Sequence, residues 1–323
     1  MDIGTFRSRA AIFETSSCRA AISNANVSRW RQLCRGAPGH SAQFDAQLCH
    51  GRAQFYRRVT TAAGHPLVYV RNQKAASQVL TYELARIFDA AGPRQEGVLL
   101  QPLAPANEST FLFSFVREPL DAALDAYLEL RNLAPVRSLE YRTTMARAMG
   151  GDSAGGAFAT TLQPCRNASD ATRQFASFLQ AVRRGDALGG DAYHFFPQSL
   201  KLDHVEWGAT AAATGSGRTR GYDALGRVER FEADVMDMRT VLGLPRANLS
   251  AVLQSRRHSH RHEACARIDR SDAALRRSFC ELFAVDYSCL RTYYPSSPCV
   301  GASSLPDRSD AVVPHFSLDS GLL

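Results

Sequence analysis

No stretch of this chain reaches the roughly 20 consecutive apolar residues that a membrane-crossing helix needs. The opening, MDIGTFRSRAAIFETSSCRAAISN, has no apolar run longer than AAIF, so it provides neither the h-region of a signal peptide nor an anchor. Arg7, Arg9 and Arg19 suggest a transit peptide, but Asp2 and Glu14 count against one. None of the eight cysteines forms a CxxC pair, which argues against a structural zinc site. The Walker A pattern GxxxxGK[ST] is absent, and with it the serine or threonine by which a P-loop kinase holds magnesium. No internal repeat is present, and no fixed nucleic-acid motif accompanies the arginines, so nucleic acid is not the expected partner.

What is present describes a soluble globular protein. The 323 residues are 45% hydrophobic and 21% charged, enough chain to bury a sizeable core. A formal charge of +7 and a pI near 9.1, mostly from arginine, favour anionic partners such as nucleotides or acidic glycans. Four of the seven asparagines, Asn26, Asn107, Asn167 and Asn248, stand in N-x-S/T sequons. An even number of cysteines, four of them near the C-terminus, permits disulfides in an oxidising compartment. Both features point to the secretory lumen, with membrane attachment only through an anchor not visible in this chain.

Residues 1–60 are rich in Ala, Ser and Arg without a clear period, and read as a loosely packed lead-in with helices near 30–34 and 44–59. The first strong element is the strand PLVYV at 66–70. After it come Arg71-Asn72-Gln73-Lys74-Ala75-Ala76-Ser77 and then VLTYELARIF, whose Val79, Leu80, Leu84, Ile87 and Phe88 share a helical face. Strand, small-residue basic loop and helix together make the geometry of a phosphate cradle. Small residues admit the anion, Lys74 adds charge, Ser77 a hydroxyl, and the helix N-terminus a partial positive charge. The residues alone equally allow Lys74 and Ser77 to solvate and cap the helix.

A second unit of the same kind is FLFSFVREPLDAALDAYLELR, residues 111–131. An apolar strand ends at Arg117, and a helix starts just beyond it. Two such units in succession imply parallel strands with both loops at the carboxyl edge of one α/β sheet. Lys74 and Arg117 then face one ligand carrying anionic groups at two places. Further along, Phe175–Val182 reads as an amphipathic helix, Tyr222–Leu242 as a short strand near 227–230 followed by a helix, and Leu275–Leu290 as a last helix and strand. GGDSAGGAFATT and ATAAATGSGRTRG read as surface loops.

Five segments in order, YVRNQKAASQVL, FLFSFVREPLDAALDAY, HFFPQ, YDALGRVERFEADV with LGLP, and CELFAVDYSCL, resemble the carbohydrate sulfotransferases of the Golgi, the branch of chondroitin and dermatan 4-sulfotransferases and the HNK-1 sulfotransferase. The likeness spans roughly residues 65–293. It implies a P-loop-like, three-layer α/β sulfotransferase fold with a central parallel sheet over residues 61–297, followed by a tail at 298–323. It also implies transfer of a sulfuryl group from 3′-phosphoadenosine 5′-phosphosulfate to a hydroxyl of an anionic or neutral glycan in the Golgi lumen, without a metal. Lys74, Ala75, Ala76 and Ser77 fall on the family's 5′-phosphosulfate loop, and Arg117 on its 3′-phosphate motif.

Displacement at sulfur spreads negative charge onto the sulfuryl oxygens and the leaving phosphate, so a fixed cation lowers the barrier; Lys74 is placed for that role. The attacking hydroxyl needs a base, and His194 in HFFPQ matches the family's HWxPQ element. Its Gln198 is expected to orient substrate or loop, and Glu229 in GRVE to orient a cation or serve as another base. Where the residues alone are concerned, His194 equally packs beside aromatics to hold a loop. The chain departs from the family at Gln73, Ala122 and Asp125. The last two stand where an arginine and a phosphate-binding serine are expected, which makes an inactive, anion-binding relative the competing expectation. His258, His260 and His262 alternate as in a strand, yet read as a basic loop rather than a zinc site.

Overall fold

The structure is a computed structural model, and it describes residues 16–25, 29, 30, 33, 54–99, 110–134, 139–149, 164–186, 190–203, 222–250, 264–296, 298 and 299. The expected loops at 150–161 and 209–221 and the histidines at 258, 260 and 262 lie outside them. Five strands, β1 (Gln54–Thr61), β2 (Pro66–Val70), β3 (Ala90–Leu99), β4 (Phe111–Val116) and β5 (Ala224–Arg227), form one sheet in the order β3–β1–β2–β4–β5. β2, β4 and β5 run parallel, whereas β1 pairs antiparallel with both β2 and β3. The central parallel sheet expected from sequence is present over β2, β4 and β5, within a sheet that is mixed overall. The cause is a hairpin: Gly64 takes φ 83°, the Thr61 amide donates to the His65 carbonyl at 2.9 Å, and the His65 amide donates to the Thr61 hydroxyl at 3.0 Å.

The parallel strands are buried on both faces, which is why they read as unbroken apolar runs. Successive side chains point to opposite faces. Leu67, Tyr69, Phe113 and Phe115 join one apolar cluster with Leu80, Leu84 and Ile87 of α1 (Ser77–Ile87) and with Val235 and Met238 of the helix Phe231–Val241. Val68, Val70, Leu112 and Val116 join the other. There they meet Leu124 and Tyr127 of Pro119–Leu133, Phe175 and Phe178 of Ala168–Arg184, and Phe279 and Phe283 of Ala273–Cys289. Helices therefore cover both faces. In chain order the helices after α1 are α2 (Pro119–Leu133), α3 (Leu139–Ala148), α4 (Ala168–Arg184), α5 (Gln198–Asp203), α6 (Phe231–Val241) and α7 (Ala273–Cys289), with a further N-terminal helix at Ser16–Asn24.

Several helix ends were set by local chemistry. Pro119 occupies the first turn of α2, and the Glu118 carboxylate accepts the Asp121 amide. Asn167 caps α4 through the Asp170 amide, and Gly185 ends it at φ 81°. α3 precedes the loop expected at 150–161, and α7 is one continuous helix where a terminal strand was expected. The lead-in is also revised. Residues 54–61 are a strand of the sheet, and Cys18, Trp30 and Leu33 are buried in the core cluster. Disulfides join Cys18 to Cys289, Cys165 to Cys265 and Cys280 to Cys299, so the first helix and residue 299 are both tied to α7.

Candidate active site

Because β2, β4 and β5 are parallel, the segments leaving their carboxyl ends emerge at one edge: 71–76, 117–118 and 228–230. In the first of these, Lys74 takes φ 68° and Ala76 φ 56°. Left-handed backbone costs a non-glycine residue roughly 1–2 kcal/mol, and two such residues within three mark a loop held in shape by its surroundings. The holding contacts are visible. Asn72, fully buried, donates through Nδ2 to the Phe115 carbonyl at 2.9 Å and to Gln198 Oε1 at 3.1 Å, and its own carbonyl accepts the Ala75 amide at 3.2 Å. Ala75 and Ser77 are buried, and α1 begins at Ser77 with no side-chain cap from Ala76.

Arg117 leaves the end of β4 with its backbone clamped on both sides by Gln198. Its amide donates to Gln198 Oε1 at 2.9 Å, and its carbonyl accepts from Gln198 Nε2 at 2.8 Å. The Gln198 and Ser199 amides in turn donate to the two oxygens of Asp286 at 3.0 and 2.7 Å. Gln198 is thus the orienting group, joining the ends of β2 and β4 to the start of α5.

The cations of the two loops meet two carboxylates on one face of α2. Asp125 pairs with the Arg117 guanidinium, and Glu129, one turn later, pairs with the Lys74 ammonium through Oε2. The same Oε2 lies 2.9 Å from His194 Nδ1. Burial draws Lys74 down to about 8, with the guanidiniums of Arg117 and Arg71 acting in the same direction and Asp125 opposing them. Lys74, Arg117, Asp125 and His194, from three stretches of sequence, are therefore brought together. Glu129 was not anticipated; the spacing of Asp125 and Glu129 on one helix face was the available signal.

Lys201 was also missed. It is 3% exposed, donates to the His194 carbonyl at 3.0 Å, and is drawn down to about 7 by burial, with Asp286 opposing and Lys74 adding to the fall. The chain has only two lysines among 38 basic side chains, and both stand at this cluster. That scarcity was legible. Ala122, at the place of the expected second arginine, lines a cleft with His194, Gln198, Lys201 and Asp286, whose closed part of about 10 Å³ has room for one water.

Glu229 acts on backbone among the described residues. Its carboxylate accepts the Glu118 amide at 2.8 Å and the Tyr294 hydroxyl at 2.9 Å, so it fixes the loop after Arg117. Glu118 in turn accepts from the Tyr287 hydroxyl. Compared with family models, with curated proteins and with solved structures, the chain matches none.

Proposed function

We propose that the chain is a carbohydrate sulfotransferase of P-loop-like fold, moving a sulfuryl group from 3′-phosphoadenosine 5′-phosphosulfate to a glycan hydroxyl. The observation that carries this reading is the convergence of Lys74, Arg117 and His194 on one face of α2, beside a strained loop at the start of α1. Lys74 and the first amides of α1 take the 5′-phosphosulfate, with Ala75, Ala76 and Ser77 forming the cradle. Arg117 takes the 3′-phosphate. As the acceptor oxygen forms its bond to sulfur, its proton passes to His194. The bond from sulfur to the 5′-phosphate oxygen breaks, and the electron pair stays on that oxygen, where Lys74 stabilises it. Among the described residues, three disulfides and two exposed sequons, at Asn167 and Asn248, support a secretory, lumenal setting.

The pairing of Arg117 with Asp125 favours a second reading, in which the chain binds an anionic ligand without turnover. Transfer of radiolabelled sulfate to a panel of glycans, with binding of adenosine 3′,5′-bisphosphate measured in parallel, separates the two. Turnover that is lost in Lys74→Ala and Arg117→Ala supports the enzyme. Binding without transfer to any acceptor supports the second reading, and the absence of both removes the nucleotide site altogether.

A further inference from the structure

We propose that Glu129 is the positioning residue of this site, holding the base and the leaving-group cation around a single carboxylate oxygen. The inference rests on the sulfuryl-transfer reading of the same cluster. Glu129 Oε2 meets both the Lys74 ammonium and His194 Nδ1, and these come from opposite ends of the reaction: one faces the departing phosphate, the other the incoming hydroxyl.

Two consequences follow from that shared oxygen. A carboxylate only accepts, so the imidazole must place its proton on Nδ1, and Nε2 carries the lone pair that takes the acceptor's proton. When the imidazolium forms, Glu129 lies beside its positive charge and lowers its energy. The second consequence concerns Lys74. In the resting chain its charge is answered by Glu129, which keeps the lysine in place before a donor arrives. A phosphosulfate that arrives beside Lys74 takes over part of that interaction, and Glu129 is then left mainly to His194. Donor binding and activation of the base are in this way coupled through one side chain.

Among the described residues, charged groups reach His194 from three elements. Glu129 is on α2, Lys74 on the loop before α1, and Lys201 on α5 donates to the histidine's own carbonyl. Asp125 and Arg117 complete a second pair one helical turn away. The 24% exposure of the Glu129 side chain and the 26% exposure of His194 leave the pair accessible to an acceptor while shielding it from bulk water.

Glu129→Gln and Glu129→Asp, made in the intact disulfide-bonded chain, provide the test. In Glu129→Gln, kcat falls on the order of 100-fold, the size expected for a disabled general base, with donor KM changed far less. Glu129→Asp recovers part of the loss. The acid limb of the kcat profile moves to lower pH in Glu129→Gln, because His194 has lost the carboxylate that favours its protonated form. Combining Glu129→Gln with His194→Ala costs no more than His194→Ala alone. Nitrogen-15 NMR of His194 reads the coupling without turnover: an Nδ1–H tautomer in the wild type, and a downward-shifted titration in Glu129→Gln. An unchanged His194 titration, or kcat within twofold of wild type with the same pH profile, overturns the proposal. A wild type that transfers no sulfate while the NMR coupling is intact overturns the sulfuryl-transfer reading instead, so the two failures are distinguishable.

Discussion

Replacing Asp125 with Asn removes one negative charge from the proposed anion site with almost no change of shape. Arg117 and Asp125 are 12% and 17% exposed, so their pairing takes place largely out of water. A carboxylate about 4 Å from a phosphate charge costs on the order of 1 kcal/mol in water and about 4 kcal/mol at an effective dielectric of 20. These limits correspond to roughly 5-fold and roughly 1,000-fold in affinity. With both side chains mostly buried, Asp125→Asn is expected to tighten binding of adenosine 3′,5′-bisphosphate by at least about 10-fold, since screening is weak for buried charges. The same variant should be less stable without ligand, because Arg117 loses its counter-charge, and should regain stability as ligand is added. Isothermal titration calorimetry and thermal unfolding, each with and without bisphosphate, measure the two effects. Adding Arg117→Ala must abolish the gain. A folded Asp125→Asn protein that binds the bisphosphate no better than wild type would refute the assignment of Arg117 to the anion.

Four other outcomes are expected. Lys74 and Lys201 are drawn down to about 8 and about 7 from the ordinary 10.5, so between those values and 10.5 the unfolded chain holds more protons and folding stability rises with pH. Bisphosphate affinity, which needs the Lys74 ammonium, falls over the same range. Urea unfolding and calorimetry at pH 7 and pH 9 should therefore move in opposite directions, and a joint decline would contradict this. Gln198→Ala strips the Arg117 amide and carbonyl of their partner, costing about 1–3 kcal/mol and weakening the bisphosphate in the same preparation. In Gly226→Ala the new Cβ would fall 2.4 Å from the Phe115 ring, and the thermal midpoint should drop by the equivalent of about 1–3 kcal/mol. Replacing Cys165 and Cys265 by Ala opens a link across 100 residues, worth up to about 4.7 kcal/mol, and should lower the midpoint more than any of the single changes above.

The two basic loops were legible because parallel strands buried on both faces have a distinctive sequence. PLVYV and FLFSFV are apolar runs, and each is followed by a basic residue, Arg71 or Arg117, with a helix start beyond it. Once those strands are adjacent and parallel, Lys74 and Arg117 must share an edge. β1 was not legible, because Arg57 and Arg58 interrupt the apolar alternation of QFYRRVTT, and only tertiary structure buries Arg57 to 5% exposure. The same limit applies to the far ends of the chain. Cysteine spacing could not show that Cys18, 271 positions away, pairs with Cys289, and so the first helix was left outside the core.

The counter-charges were hidden for a different reason. The pattern of α2 locates Asp125 and Glu129 on one face, but not the rotation of that face about the helix axis, which is fixed by Leu120, Leu124 and Tyr127 packing on the sheet. That packing turns the carboxylates towards Lys74 and Arg117. A cation left unpaired in a mostly buried site is costly, so a site built to receive an anion needs either water or a substitute charge while it is empty. Here the substitute is supplied by the helix. Any ligand must therefore offer more than Asp125 and Glu129 already provide. A monoanion that reaches only one cation gains little from exchanging a carboxylate for itself. A ligand with anionic groups at both ends engages Lys74 and Arg117 together and adds the amides at the start of α1. On the proposed reading, the paired arrangement favours a donor that is anionic at two separated places, the property that distinguishes a 3′-phosphorylated nucleotide from free sulfate.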